Sequence, residues 1–233
     1  AAIFWMLWAA LLITVMTAFF LPVTPPTVRA LDDASRPVRP PLLSALREPA
    51  FLVLITVGGL IQGSHAMLYS FGSLFWHAQG FGGLAIGAFW ATAVIFEIAL
   101  FMWSAPLVRR FGPFGFLALG GVAAIVRWLL FPLEPGLVGY LGLQALHAFS
   151  FGAVYLGCQH AVARTVPEEL TASAQGVMAM MSGLMMALAT LASGPLYEAF
   201  GGNAFALMAV MPAVALVILV LFRRAVRPAP RPA

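Results

Sequence analysis

The chain has 233 residues, of which 62% are hydrophobic and 9% charged, a composition that excludes a soluble domain because its surface could not carry so much apolar area. The net charge is +4, but all twelve basic residues are arginines and lie mostly in a few loops, which membrane topology explains better than nucleic-acid binding. The single cysteine, Cys158, excludes an internal disulfide. We therefore predict an all-α integral membrane protein that contacts the lipid bilayer and binds no nucleic acid.

Apolar stretches of roughly 20 residues, the length that crosses a bilayer as a helix, recur along the chain. Because the chain opens on Ala1 inside such a stretch, without a charged leader or a cleavage site, we expect a fragment of a longer protein. Seven transmembrane helices are predicted. In chain order they cover about residues 3–21, 50–70, 83–105, 114–132, 136–160, 170–194 and 203–222.

The polar segment after the first span is rich in proline and arginine. Its Leu42, Leu43 and Leu46 share a helical face, so the segment is either a short helix on the membrane surface or a disordered linker. Arginines occupy this segment, the Arg109-Arg110 turn, a turn at Arg164 and the C-terminal tail, whereas the intervening turns carry none. The positive-inside bias therefore predicts that these loops and the C-terminus are cytoplasmic.

The last six spans divide into two triplets with the same polar pattern near their starts. Gln62-x-x-His65 lies in the first span of one triplet, and Gln144-x-x-His147 lies in the first span of the other. Matching positions of this kind are typical of the inverted 3+3 repeats of transporters, whose binding sites lie near the membrane midplane.

Few ionisable residues lie within the predicted spans, and their depths can be compared at a rise of about 1.5 Å per residue. Arg127 falls in the outer half of its span, Glu97 in the inner half of its own, and His147 between them. Either Arg127 and Glu97 form a fixed structural ion pair, or the three groups form a ladder along a cavity. The depths favour the ladder. For His147 the structural alternative is a hydrogen bond to a backbone carbonyl.

Further polar residues follow helical spacing and complete the predicted site. Gln144, His147 and Ser150 share one face, and Gln62, His65 and Tyr69 share another. The predicted substrate- or proton-binding residues are Gln62, His65, Tyr69, Glu97, Arg127, Gln144, His147 and Ser150.

Several other features predict packing rather than chemistry. The Gly-x-x-x-Gly motifs that begin at Gly59 and Gly83 predict close helix contacts within the chain. The methionines of the 170–194 span predict adaptable packing rather than metal transport. Trp76 and His77, beyond the end of a predicted span, are expected to be anchors at the membrane interface.

The sequence contains no motif of a membrane enzyme. It has no His-Glu-x-x-His, no nucleophile elbow, no phosphate-binding loop and no lysine that could form a retinal Schiff base. We therefore expect neither enzymatic activity nor a cofactor.

Three stretches resemble sequence motifs of the major facilitator superfamily. Residues 105–112, Ala-Pro-Leu-Val-Arg-Arg-Phe-Gly, are similar to the family's loop between the second and third helices of a half, without its first glycine and its aspartate. Val-Pro-Glu-Glu at 166–169 and Ser-Gly-Pro-Leu-Tyr-Glu at 193–198 are also similar to the family pattern. This resemblance implies the last helix of an N-terminal half (1–21), an inter-half linker (22–49), a C-terminal six-helix half (50–222) and a tail (223–233). The missing N-terminal half is the implied partner.

Within the superfamily the chain resembles the phenylpropionic acid permease group, which is akin to the proton-coupled lactose permeases. Lactose permeases also pair an arginine in the fourth span with a histidine in the fifth, but they place a carboxylate where this chain has Ser150, so lactose transport is not implied. The matching stretches are Gln62-Gly63-Ser64-His65-Ala66, Phe75-Trp76-x-x-Gln79-Gly80, Glu97, Val126-Arg127-Trp128 and Leu146-His147.

The resemblance implies proton-coupled secondary transport of a small organic solute in a bacterial inner membrane, with an aromatic or other carboxylic acid as the favoured solute. Protons would be the coupling ion. One alternative is a nucleoside or sugar proton symporter in which Arg127 is structural. Another is a membrane sensor or scaffold that does not transport.

Overall fold

The computed structural model describes residues 2–20 and 47–223, so the predicted surface helix at Leu42, Leu43 and Leu46 and the tail beyond Arg223 lie outside the described residues. The described residues form helices and turns without strands, which confirms the all-α prediction. The helices are α1 (Ala2–Phe19), α2 (Pro49–Gly63), α3 (Ala66–Ala78), α4 (Gly83–Met102), α5 (Ser104–Leu130), α6 (Gly136–Ala145), α7 (Val154–Thr165), α8 (Thr171–Phe200), α9 (Ala204–Leu207) and α10 (Val210–Leu221).

Five helical segments in the described residues are long and apolar enough to cross a membrane. The last of them, Thr171–Leu221, is 51 residues long and includes a break at Gly201, where φ is 55°. Helices α8 and α10, which lie on either side of Gly201, both pack against α2. The five segments are Pro49–Ala78, Gly83–Met102, Ser104–Leu133, Gly136–Thr165 and Thr171–Leu221.

The chain divides into two compact units, residues 1–39 and 40–233. The described part of the first is α1, which contains the shorter apolar stretch Trp8–Thr17. The second contains the remaining helices, in which α2 packs against α7, α8 and α10, and α5 packs against α7 and α10. Helix α4 packs against α6 and the π-helical segment Ala148–Ala153.

The prediction of a turn at Arg109-Arg110 is wrong, because both residues lie within α5. The break comes at Gly112, whose φ of 67° and ψ of 172° suit glycine rather than a residue with a side chain. Pro113 follows as the first residue of the second helical stretch, where a residue without an N–H is tolerated. The predicted span start at 114 therefore coincides with this break and not with the first helical residue, Ser104.

Helix α2 is the central element, and two of its glycines explain how it packs. A Cβ atom added at Gly63 would lie 3.0 Å from the backbone and Cβ of Met185, and one added at Gly59 would lie 3.2 Å from Met181 and Met185. The predicted packing role of this motif is confirmed. At Gly83 and Gly87 no atom of the described chain lies within 4 Å of such a Cβ, so the second motif makes no such contact there.

The span that begins with α2 is interrupted at Ser64 and His65, within the first Gln-x-x-His motif. Ser64 Oγ donates to the Ile61 carbonyl at 2.6 Å, and His65 Nδ1 lies 3.1 Å from the Ile61 carbonyl and 3.2 Å from that of Gln62. A bilayer core offers no water to unpaired carbonyls. The side chains of the motif therefore supply the hydrogen bonds that the interrupted helix lacks.

Beyond this interruption α3 continues to Ala78, eight residues past the predicted end. Trp76 is consequently buried, with its ring centroid 4.8 Å from that of Phe89 and 5.9 Å from that of Tyr140. The prediction that Trp76 anchors the chain at the membrane interface is wrong, because the longer helix places this residue inside the bundle. His77, the next residue, is exposed.

Candidate functional site

The guanidinium of Arg127 on α5 is the centre of the polar site. The residue is 0% exposed. Its Nε donates to the Leu143 carbonyl at 2.8 Å, Nη2 donates to Gln144 Oε1 at 2.8 Å, and Nη1 donates to Ser150 Oγ at 2.7 Å. These acceptors come from one stretch that runs from α6 into the π-helical segment Ala148–Ala153. All three are uncharged.

Two imidazoles complete the surroundings of the guanidinium. Nη1 lies 3.2 Å from His65 Nε2 and 3.3 Å from His147 Nδ1. A guanidinium only donates, and Nη1 has two N–H groups for three neighbours, so its two longer contacts with the imidazoles share hydrogens with the contact to Ser150 Oγ. In this arrangement the two imidazole nitrogens are acceptors, and each neutral ring carries its proton on the other nitrogen. His65 Nδ1 then donates to the carbonyls of Ile61 and Gln62. His147 Nε2, the protonated nitrogen, lies 3.8 Å from Glu97 Oε2.

Arg127, His147 and Glu97 thus form a row with the imidazole in the middle. No ion pair between Arg127 and Glu97 occurs among the described residues. In the described residues Arg127 and Glu97 therefore do not form the tight pair, and the imidazole of His147 lies between them. Arg127 is 0% exposed, whereas the side chains of His147 and Glu97 are 8% and 19% exposed. Glu97 accordingly lies at the accessible end of the row.

Aromatic rings frame the histidines and the guanidinium. The Arg127 Cζ atom lies 4.7 Å from the centroid of the Trp128 ring, a distance that allows a cation–π interaction. Trp128 Nε1 donates to Ser64 Oγ at 3.0 Å. The Phe151 ring stacks on His147 with centroids 5.1 Å apart and meets His65 edge-on at 5.7 Å.

Seven of the eight predicted site residues meet in this cluster. Tyr69, which is 44% exposed, joins it through its ring, whose centroid is 6.1 Å from that of His65. The sequence prediction did not assign the Leu143 carbonyl, Ser64, Trp128 or Phe151 to the site. Ser64 and Trp128 lie inside the stretches that match the phenylpropionic acid permease group, so that resemblance could have pointed to them. The Leu143 carbonyl could not be predicted, because every residue has a backbone carbonyl and no side chain marks this one as a partner.

The eighth residue, Gln62, lies outside the cluster. Its Nε2 donates to the Phe151 carbonyl at 3.4 Å, and its Oε1 has no hydrogen-bond partner. Gln62 instead lines a cavity of about 620 Å³. The two Gln-x-x-His motifs therefore bring their histidines together but not their glutamines. A turn at Ser64 and His65 interrupts the first motif, and a turn at Leu146 interrupts the second before the π-helical segment begins at Ala148.

A profile of the MFS_1 like family matches residues 2–208. The chain belongs to the MFS_1 like family. It is also similar to the probable 3-phenylpropionic acid transporter of Escherichia coli (strain K12), with 28% identity over 159 residues. That match covers 68% of this chain and 42% of the relative. The predicted resemblance to the major facilitator superfamily and to the phenylpropionic acid permease group is confirmed.

The family and the relative identify this MFS_1 like chain as a multi-pass membrane protein of the transporter class rather than an enzyme. In the described part of the chain no group of three or more His, Cys, Asp and Glu side chains is placed to hold a metal ion. The polar site contains a buried cation, Arg127, which can attract an anion. Beside it lie the His147 imidazole and the Glu97 carboxylate, two groups that can exchange a proton.

Proposed function

We propose that this chain is the C-terminal half of a proton-coupled secondary transporter for a small organic acid, with an aromatic carboxylic acid as its solute. The buried Arg127 guanidinium, whose hydrogen-bond partners are all neutral, carries the proposal. A buried cation with a structural role is expected to contact a carboxylate. The relative named for 3-phenylpropionic acid supports the choice of solute.

In the first step of this mechanism the carboxylate of the solute binds Arg127. Hydrogen bonds between a guanidinium and a carboxylate are charge-assisted, often bidentate, and roughly twice as strong as neutral ones. The carboxylate therefore outcompetes acceptors such as Ser150 Oγ and the His147 imidazole. Because Arg127 is fully buried in the described conformation, this step requires the helices to open, as alternating access provides.

The second step is proton uptake at His147. While Arg127 Nη1 donates to His147 Nδ1, that nitrogen has no room for a proton. When the guanidinium turns to the solute, Nδ1 becomes free, and an imidazolium at this position faces the Glu97 carboxylate through Nε2. Anion binding and proton binding thus favour each other, and the coupling is reciprocal.

The proposed architecture has seven spans, of which the first (1–21) ends an N-terminal half and the last six (50–222) form the C-terminal half. A linker at 22–49 joins the halves, and the tail at 223–233 is cytoplasmic in a bacterial inner membrane. The proposed 3+3 inverted repeat is supported by the helix interruptions that follow Gln62 and Gln144, one in each triplet. The N-terminal half supplies the other wall of the central cavity.

The test measures accumulation of 3-phenylpropionate by the complete transporter in proteoliposomes under an imposed pH gradient, together with counterflow. We expect Arg127→Gln to abolish both, because the anion loses its cation. We expect Glu97→Gln to abolish accumulation driven by the pH gradient. Glu198→Gln, which changes an exposed carboxylate at the end of α8, is the matched control. Unchanged accumulation in both Arg127→Gln and Glu97→Gln would refute the mechanism.

A second candidate is a nucleoside or sugar symporter in which Arg127 is structural. The cavity beside Gln62 favours it, because no charged residue lines that cavity. Uptake of phenylpropionate, nucleosides and disaccharides by one preparation separates the two candidates. If no solute is taken up and none raises the melting temperature, a sensor or scaffold is the better interpretation.

A further inference from the structure

A cavity of about 620 Å³ lies between α2, α7 and α8, and its walls are uncharged. It is separate from the Arg127 cluster but shares Phe151 with it. The Phe151 carbonyl accepts a hydrogen bond from Gln62, and the Phe151 ring stacks on His147. The cavity walls include Gln62, Phe151, Tyr155, Gln159, Gln175 and Met186.

Two glutamine oxygens in this wall lack hydrogen bonds. Gln62 Oε1 and Gln159 Oε1 are both buried without a partner, and Gln62 is only 8% exposed. In the described chain one other buried side-chain polar atom is unpaired, the Trp76 Nε1 donor. An unsatisfied buried polar atom costs roughly 1–3 kcal/mol, so two acceptors in the wall of one cavity call for an explanation.

We propose that this cavity binds the neutral ring of the solute and that hydroxyl groups on that ring donate to Gln62 and Gln159. This inference rests on the proposed function and makes the solute a hydroxylated aromatic acid. The ring packs against Phe151 and Tyr155, which line the cavity, and the carboxylate reaches the buried Arg127 when the helices open. Rotation of each side-chain amide about its terminal torsion brings its oxygen to the solute, and at Gln62 this rotation gives up the 3.4 Å hydrogen bond from Nε2 to the Phe151 carbonyl.

The chemistry of the walls selects hydroxyl donors over an ammonium group. No carboxylate lines the cavity, so an ammonium ion would enter without a counter-charge at a large desolvation cost. A hydroxyl is neutral and gains a hydrogen bond to an amide oxygen that otherwise has none. A site built to hydrogen-bond a hydroxyl discriminates strongly against the analogue that lacks it, because the polar groups of the site are then left unpaired.

The test compares two acids that differ only in ring hydroxyls, 3-phenylpropionate and 3-(3,4-dihydroxyphenyl)propionate, as competitors for uptake by the complete transporter. We expect the dihydroxy acid to compete at a concentration about 10-fold lower, which is the gain in affinity expected when one amide oxygen receives a hydrogen bond. Gln62→Met and Gln159→Met, which keep the side-chain length, should each reduce that ratio several-fold. Because both acids are measured on the same preparation, the ratio is insensitive to expression and folding.

Gln79→Met is the control, since Gln79 lies outside this cavity and pairs with Tyr140, and it should leave the ratio unchanged. Proton-linked uptake of phenylpropionate with a ratio near one in every variant would overturn this inference and leave the proposed function standing. If neither acid is taken up, the proposed function fails, and the cavity is tested with catechol alone. A rise in melting temperature with catechol that Gln62→Met and Gln159→Met abolish supports the inference, and no rise overturns it.

Discussion

Ser150→Asp places a carboxylate against the Arg127 guanidinium and so tests whether that cation is kept available for an anion. Ser150 Oγ accepts from Arg127 Nη1 at 2.7 Å and lies 3.1 Å from His65 Nε2. A carboxylate oxygen at this position would bind the guanidinium directly. We expect the variant to hold Arg127 in a fixed ion pair and to take up acidic solutes poorly.

The size of the effect follows from these contacts. Two unit charges about 4 Å apart attract by about 4 kcal/mol at an effective dielectric constant of 20, and burial of the new carboxylate offsets part of this. A hydrogen bond to a charged group contributes roughly 1.5–3 kcal/mol net. The solute must displace that interaction, so we expect its apparent affinity to fall roughly 10- to 150-fold.

The assay is competition by 3-phenylpropionate for uptake by the complete transporter in proteoliposomes. Ser150→Asn has nearly the same size as Ser150→Asp but no charge, so it separates the new charge from the altered packing. We expect Ser150→Asn to be affected much less than Ser150→Asp. Equal apparent affinities for the acid in the two variants would refute the role of Arg127 as the anion site and would favour a neutral solute.

Three further predictions concern packing around the site, each measured as thermal or denaturant unfolding of the purified protein in detergent. Gly152→Val should destabilise the fold by roughly 1–3 kcal/mol and impair proton-linked uptake, because a Cβ atom added at Gly152 would lie 3.2 Å from Glu97 Cγ. Gly142→Ala is the control, because no atom lies within 4 Å of a Cβ added there. Gly63→Val should lower the free energy of unfolding by a similar amount, because the new side chain would contact Met185. Gly87→Ala meets no atom of the described chain within 4 Å, so it should be neutral or stabilise its helix by roughly 0.5–1 kcal/mol. Ser64→Ala should lower the free energy of unfolding by roughly 1–3 kcal/mol, because it leaves the buried Trp128 Nε1 unpaired. Ser73→Ala removes the exposed hydrogen-bond partner of Trp90 and should have a smaller effect. Equal losses in the two variants would contradict the argument that the Trp128 bond matters more because it is buried.

The order of the groups in the ladder was predictable from the sequence because the rise per residue of a helix is constant. Counting residues from the span ends placed His147 between Arg127 and Glu97, and the structure has this order. Gln144 and Ser150 were also predicted to lie together, but a turn at Leu146 and the start of the π-helical segment lie between them, so uniform helical spacing does not by itself explain why both reach one guanidinium. Both side chains bind Arg127.

What the sequence could not supply is the rotation of one helix against another across an interruption. Gln62 and His65 lie three residues apart, as on one helical face, yet Gln62 lines the cavity while His65 binds Arg127. The turn at Ser64 separates them, and helical periodicity does not apply across a turn. The same limit affects the segment after His147, because a π-helical turn shifts the faces of all following residues.

The charges of the site limit which solutes the proposed mechanism can carry. With Arg127 and Glu97 ionised and both histidines neutral, the cluster has no net charge, and Arg127, His65 and His147 are buried. An anion that enters alone leaves one uncompensated negative charge in a region of low dielectric constant, where the effective penalty is several kcal/mol. An anion that enters with one proton leaves none. The proposed mechanism therefore predicts that one proton accompanies each monovalent acid and that a divalent acid needs two protons, with His147 and Glu97 as the proposed sites.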